Sequence, residues 1–436
     1  MLPAAFVDEL CALGLAAGLQ RVGVATAEPF VEVQATLRAR KAAGLSADMQ
    51  FSYRNPARST DPGRIVPDAR SLVVGARAYS AVVAPPSAGL RARGPLARVA
   101  RYATADHYAE LRAALEVVAT RLRRDGWVAR VVLDDNALVD RAAAHRAGIG
   151  WYGKNSNVLI DAVGSWFVLG SVVTDAPLVD DEDRVEPAAM ASGCGSCTRC
   201  MTACPTGAIV EPGVVDARRC LAWLVQAEGV FPREHRVALG DRIYGCDECQ
   251  EVCPPAARTE RREREGVQEA GASIPAGGRG ADQGDDETGD EAVEEAGDAG
   301  WVALLDLLEA GDDELLAAHG RWYIARRDPD HLRRNALVAL ANAADLPLEA
   351  RVAAVIERSC RHPRPLVRAH AVWAARRLGL HALLDPLQDD PDPIVQAELA
   401  AVVPGRAGST DTDLPVSLSA PRRSPPRPPR PGAPAR

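Results

Sequence analysis

Four cysteines packed into one short run set the terms for any fold of this chain. They read Cys194-Gly-Ser-Cys197-Thr-Arg-Cys200-Met-Thr-Ala-Cys204, followed by Pro205. The spacing C-x2-C-x2-C-x3-C-P lets thiolates wrap one face of an iron–sulfur cubane. In two-cluster ferredoxins the fourth cysteine of such a run serves the other cluster. A second set follows, Cys220 and then Cys246-Asp-Glu-Cys249-Gln-Glu-Val-Cys253 with Pro254, its first cysteine displaced upstream. The crossover rule gives Cys194, Cys197, Cys200 and Cys253 to one [4Fe–4S] cluster and Cys204, Cys220, Cys246 and Cys249 to the other. Eight thiolates could also build two structural zinc sites. The spacing and the proline after each run argue against that. Of the 10 cysteines only Cys11 and Cys360 lie elsewhere, in helical patterns, and read as core residues.

Cysteine used this densely belongs either to a small secreted disulfide scaffold or to metal. The 436 residues suit about three domains. The first ten residues carry Asp8 and Glu9 where a secretory signal carries lysine or arginine. No apolar stretch is long enough to span a bilayer. A cytoplasmic chain with no membrane partner is expected, and metal is the better reading of the cysteines. The net charge of −8 is misleading about partners. Residues 265–300 hold 11 acids and one base, which leaves the rest of the chain at +2. Acidity confined to one block does not exclude a nucleic-acid partner.

The pattern divides the chain into five stretches. Residues 1–180 alternate helical segments (Ala4–Leu19, His107–Arg124, Leu138–Ala147) with extended ones (Arg21–Thr26, Ser71–Ala78, Trp127–Leu133, Trp166–Val173), which predicts an α/β domain. Residues 181–260 form the ferredoxin-like module. Residues 261–300, rich in Gly, Asp and Glu, read as a disordered linker. Residues 301–404 show a loose repeat: Asp328-Pro-Asp-His, His362-Pro-Arg-Pro and Asp390-Pro-Asp-Pro each open an apolar helical run. Offsets of about 28–34 residues fit stacked helical pairs of the HEAT type. The Pro- and Arg-rich tail, 405–436, reads as disordered.

Two further motifs need context. Gly148-Ile-Gly-Trp-Tyr-Gly153-Lys154-Asn155 matches dinucleotide- and phosphate-loop patterns, but those need a strand before the glycines and a helix after. Here the order is reversed, so a tight loop lining a pocket is expected. Asp134 and Asp135 close the strand ending at Leu133. Reactive groups of α/β domains collect at such ends, although a turn or a helix N-cap explains the pair at least as well.

Several runs together resemble the epoxyqueuosine reductases, cobalamin-dependent iron–sulfur enzymes of queuosine biosynthesis in tRNA. They are Leu133-Asp134 with Leu138-Val-Asp-Arg141, Arg146-Ala-Gly-Ile-Gly-Trp151 with Gly153-Lys-Asn155, and Gly164-Ser-Trp-Phe-Val-Leu-Gly170. Val215-Asp-Ala-Arg-Arg-Cys220, Arg242-Ile-Tyr-Gly-Cys-Asp-Glu-Cys249 and Arg333-Arg-Asn-Ala-Leu-Val-Ala-Leu340 complete the set. Asp135 stands where relatives carry a small or hydroxyl residue, and Asp140 where some carry glutamate.

The resemblance implies an α/β cobalamin-binding domain, a two-cluster module and HEAT-like helices. It implies reduction of epoxyqueuosine to queuosine in the anticodon stem-loop of tRNA, by a monomer fed by a reductant such as ferredoxin or flavodoxin. Asp134 corresponds to the proton donor. Arg58, Arg101, Asp134, Lys154, Asn155, Val158, Ser165, Leu169 and Leu221 correspond to cobalamin contacts, several through backbone. Basic helices could track tRNA phosphates, through Arg321, Arg326, Arg327, Arg333, Arg334, Arg361, Arg364, Arg368, Arg376 and Arg377. Two other readings compete: a non-catalytic electron-transfer or scaffold protein, and a corrinoid reductase acting on a small molecule.

Overall fold

The structure, a computed structural model, describes residues 2–161, 163–179, 191–272, 298–345 and 349–403. The tail and most of the acidic stretch lie outside them. The helix Pro254–Ala272 runs into the stretch read as linker: its Glu, Arg and Ala are good helix formers, so high charge there signals a solvated helix rather than a coil.

A four-stranded sheet organises the first part in the order β1 (Arg21–Thr26), β2 (Ser71–Ala78), β7 (Phe167–Thr174), β4 (Ala129–Leu133). All three pairings are antiparallel, an arrangement that the α/β alternation of the sequence leaves open. The crossover from β2 through the helix His107–Arg124 to β4 does leave those two strands running the same way, with β7 inserted between them. Alternation of helix and strand fixes the direction of the crossover, not whether a later strand enters the gap.

Both faces of the sheet are covered, so its two central strands, SLVVGARA and FVLGSVVT, are mostly apolar rather than alternating. Leu111, Leu115, Val118 and Leu122 of the long helix pack with Leu10 against Val73, Val172 and Leu133. The helix Asp140–Arg146 covers the other face with Ala142, Ala143 and Ala144, over Leu72, Val74 and Val173. Gly170 permits the close approach of the long helix: a Cβ there would lie 2.8 Å from Leu115 Cδ1 and 2.9 Å from Leu133 Cβ.

A second sheet joins three stretches that are distant in sequence. β3 (Leu96–Val99) pairs in parallel with β10 (Arg242–Tyr244) and antiparallel with β11 (Trp301–Ala303). One hydrophobic core spans the same three stretches, from Val99 through Leu224, Phe231 and Ile243 to Leu337, Val355 and Trp373. The terminal helices Pro365–Arg377 and Pro393–Leu399 start on the repeated prolines, a position where the missing N–H is harmless. No helix of the described residues is long and apolar enough to cross a membrane.

Candidate functional site

The thiols interact electrostatically in two groups. Cys253 feels Cys194, Cys200 and Cys197. Cys246 feels Cys220 and Cys204, and Cys249 feels Cys246 and Cys220. Cys249 also feels Cys200, so the two groups adjoin. Burial together with this crowding pushes the Cys253 thiol up to about 11 and Cys246 to about 12. Such repulsion is what a bound polycation relieves. Cys204 departs from Cys246 and Cys253: burial would raise it, but hydrogen bonds from the backbone amides of Thr206, Ala208 and Ile209 and from the Thr206 hydroxyl together outweigh burial and lower it. The Ala208 N–H donates to its sulfur at 3.2 Å. Amides aimed at sulfur suit thiolate ligands, and the donor set fits iron–sulfur clusters. Cys194, Cys197, Cys200 and Cys253 line one cavity of about 140 Å³.

The glycine loop props up this module. It joins β5 (Trp151–Tyr152) and β6 (Val158–Leu159), which pair as a hairpin. Gly150 is required there, because a Cβ would fall 2.1 Å from the Leu159 carbonyl oxygen. Lys154 Nζ donates to the carbonyls of Gly195 (2.8 Å) and Cys197 (2.9 Å), and Asn155 Nδ2 to that of Cys249 (3.2 Å). Both also line the 140 Å³ cavity, as the tight-loop reading expects. Ser165 Oγ donates to Gln250 Oε1 at 2.9 Å. Arg101 is buried; its Nε donates to the Ala81 carbonyl and its Nη1 to Glu251, and its backbone N–H donates to Asp247. These four residues fasten the first domain to the cysteine loops. Val158, Leu169 and Leu221 are buried.

Asp134 begins the turn after β4 with a left-handed backbone, φ +47°. Aspartate tolerates this conformation better than most residues. It is exposed, yet the surrounding protein strips enough water to raise its carboxyl pKa, and the neighbouring Asp135 charge adds to the rise. Ser59 Oγ donates to the Asn136 carbonyl at 2.6 Å, which ties the Arg58 segment to this turn. Among the described residues Arg54 and Arg58 are exposed and make no ion pair.

The Arg58 segment meets the helical region where Phe51 packs on Tyr323, ring centroids 5.1 Å apart. Sequence reasoning passed over Phe51 and Tyr323, since lone aromatics carry no spacing signal. It also passed over Tyr108, which senses both Asp134 and Asp140.

Hydrogen bonds, ion pairs or ring contacts engage all ten arginines expected to track phosphates, and the burial of Arg334 corrects that expectation for it. Arg334 is buried and donates to the carbonyls of Ala227, Gly229, Leu224 and Val225. Arg333 pairs with Asp330 and Asp312, Arg368 with Asp390, Arg364 with Asp328, and Arg361 with Glu357. Arg376 reaches the Glu398 carbonyl and Arg377 lies over Trp373. Arg321, Arg326 and Arg327 are exposed around Tyr323. Arg326 pairs only with the half-exposed Glu228, a contact worth about 0–1 kcal/mol. Arg321 and Arg327 donate to the carbonyls of Thr104 and Gly320. An arginine run in sequence does not separate struts from free charge.

Comparison with known proteins agrees with this geometry. A family model described as a 4Fe-4S double cluster binding domain matches residues 193–256, all eight grouped cysteines included. An epoxyqueuosine reductase of Xanthomonas campestris is 32% identical over 371 residues, 84% of this chain and 94% of that protein. One from Staphylococcus aureus is 30% identical over 391 residues, 88% and 92%. The crystal structure of an epoxyqueuosine reductase with an epoxyqueuosine-modified tRNA-Tyr stem loop superposes with a TM-score of 0.70 at 27% identity, covering 91% of this chain and 97% of that one. The Bacillus subtilis enzyme, solved with its catalytic aspartate loop swung out of the active site, gives 0.72 at 26% identity, with the same coverage. The chain belongs to the epoxyqueuosine reductase family.

Proposed function

We propose that this chain reduces epoxyqueuosine to queuosine in the anticodon stem-loop of tRNA. The observation that carries the reading is Asp134, an exposed acid of raised pKa on a fixed turn, in a chain whose eight cysteines form two adjoining groups. The balance is one epoxide, two electrons and two protons in, and one alkene and one water out. Desolvation and the Asp135 charge raise the Asp134 pKa and so favour its protonated form, which gives its proton to the oxygen leaving carbon.

Two [4Fe–4S] clusters, ligated by Cys194, Cys197, Cys200 and Cys253 and by Cys204, Cys220, Cys246 and Cys249, accept single electrons from an external reductant such as ferredoxin or flavodoxin. Cobalamin is implied by the family. Asp134 and Arg58 keep side chains with no hydrogen-bond partner among the described residues, so these two can help hold such a group, and Val158, Leu169 and Leu221 would join them through backbone. When bound, it supplies the strongly reducing metal centre of the two-electron step.

The stem-loop fits the rim where Arg54 and Arg58 face Arg321, Arg326 and Arg327 across Phe51 and Tyr323. Exposed cations, Arg321, Arg326 and Arg327 among them held only by surface contacts, can meet phosphates there, and an exposed ring can stack a base. The helices after Trp301 then act as HEAT-like scaffolding for one side of that rim, and the protein acts as a monomer in the cytoplasm.

The test is anaerobic single turnover of the full chain, reconstituted with iron, sulfide and cobalamin, on an epoxyqueuosine-bearing stem-loop. The expected product is queuosine by mass spectrometry, with about eight irons per chain and one cobalt. Loaded protein that leaves the epoxide intact overturns the reading, and full activity of Asp134→Asn removes its acid.

A further inference from the structure

The reaction consumes two protons, and Asp134 carries one. A second carboxyl lies within its electrostatic reach. Asp140 opens the helix Asp140–Arg146, and its Oδ1 is buried with no hydrogen-bond partner. The backbone N–H of Asp134 is turned toward it. Buried polar atoms in folded proteins are nearly always partnered, and an exception calls for a reason. The charged and titratable groups around Asp140 are Asp134 and Asp135 on the turn, Arg141 on its own helix and Tyr108 on the long helix. The two aspartates oppose its ionisation. Arg141, the cation of this set, spends Nη1 on the Ser156 carbonyl at 2.8 Å. Burial and the neighbouring aspartates hold Asp140 well above the usual carboxylate range. An orphaned carboxyl oxygen is unfavourable as an anion and tolerable as a neutral acid.

We infer that Asp140 is the second proton store of the reaction, a positioning residue that reloads Asp134 within each turnover. The inference rests on the reading under Proposed function. In the first transfer the O–H bond of Asp134 breaks and its proton goes to the oxygen of the opened ring. The anion left on Asp134 then faces a neutral acid. The O–H bond of Asp140 breaks, its proton moves to Asp134, and Asp134 passes it to the same oxygen as the remaining C–O bond breaks and water leaves. The two electrons come from the external reductant through the clusters. Asp140 regains a proton from solvent before the next cycle. Two carboxyls sharing protons in this way titrate as a pair.

The experiment uses the holoenzyme and its Asp140→Asn and Asp140→Glu variants, each with iron, cobalt and melting temperature checked against wild type. Single-turnover rates on the epoxyqueuosine stem-loop are measured in mixtures of light and heavy water. Wild type is expected to show a curved proton inventory, reporting two protons in flight. Asp140→Asn is expected to be slower by on the order of 10²-fold, with a linear inventory, and Asp140→Glu to recover most of the rate. Infrared difference spectra of the full chain at neutral pH are expected to contain a protonated-carboxyl band that Asp140→Asn lacks. Loaded Asp140→Asn that reacts within about twofold of wild type, or a carboxyl band unchanged by the substitution, overturns the inference. Loaded wild type that leaves the epoxide intact overturns the functional reading as well, and the wild-type trace alone distinguishes that failure.

Discussion

Ser59 donates its hydroxyl to the carbonyl of Asn136 at 2.6 Å, and that one bond couples the exposed Arg58 segment to the turn bearing Asp134. The two stretches are far apart in sequence, and both are rich in residues that favour turns. A buried serine gives the second a fixed partner. Ser59→Ala should cost about 1 kcal/mol of stability. It should reduce the single-turnover rate more than it weakens stem-loop binding. Loss of binding with an unchanged rate would place the coupling on the RNA side only.

The pH dependence follows from the raised pKa of Asp134. As the proposed proton donor Asp134 must be protonated to act, so the rate should be full at low pH and fall as pH rises through that raised value. Asp135 contributes part of the rise. Removing its charge with Asp135→Asn should bring the Asp134 pKa down and move the fall in rate to lower pH. A rate profile unmoved by Asp135→Asn would locate the controlling acid elsewhere.

Burial raises the folded pKa of Asp140 above its unfolded value, and the sign of the stability effect follows. The neutral acid is favoured in the folded chain, so its contribution is fully present at low pH and is lost as pH rises through the raised value. Asp140→Asn, neutral throughout, should therefore melt at or above the wild-type temperature in mildly alkaline buffer, as differential scanning calorimetry can record. A lower melting temperature there would show that the carboxyl is needed for packing.

Glu398 and Arg236 form a fully buried ion pair, with Nη2 to Oε1 at 2.7 Å and Nη1 to Oε2 at 3.0 Å. It locks the last described helix onto the cysteine module. Deleting one partner leaves an uncompensated buried charge. Glu398→Ala should destabilise the chain by about 3–5 kcal/mol, measured by denaturant unfolding. Replacing both residues with apolar ones of similar volume should recover most of that loss.

The two thiol groups predict a crossed phenotype. Cys204 lies in the first cysteine run, yet its charge is felt by Cys220 and Cys246. Cys204→Ala should abolish the cluster assigned to Cys220, Cys246 and Cys249, and Cys253→Ala the other, each halving the iron to about four per chain. Paramagnetic resonance of the reduced variants should show different surviving signals. Identical survivors would reject the pairing.

Elements with strong periodicity were legible in the sequence: the strands Arg21–Thr26 and Ser71–Ala78 and the helix His107–Arg124 appear with the expected bounds. Strand order was not, because β7 enters between β2 and β4 through contacts that no local pattern encodes. At the site, the cysteine spacing identified the cluster-bearing segment, since ligand geometry acts over a few residues. Asp134 came from the family resemblance. The roles of Lys154, Asn155 and Arg101 as struts could not be read, because their partners are carbonyls and carboxylates tens of residues away. The arginines misled for the same reason: Arg334 and Arg326 are indistinguishable as letters, although one is entombed and the other faces water.

The sheet built from β10, β3 and β11 also imposes an order in time. β3 leaves the ribosome early, and its antiparallel neighbour β11 follows roughly 200 residues later, a delay on the order of ten to forty seconds at ordinary synthesis rates. Throughout that interval Ala97 and Val99, fully covered in the finished molecule, lack part of their cover, and the cysteine loops fastened by Arg101 lack a finished foundation. A nascent chain of this design has reason to acquire its iron late, after the helical region has been made, so the machinery that delivers clusters would meet an almost complete protein.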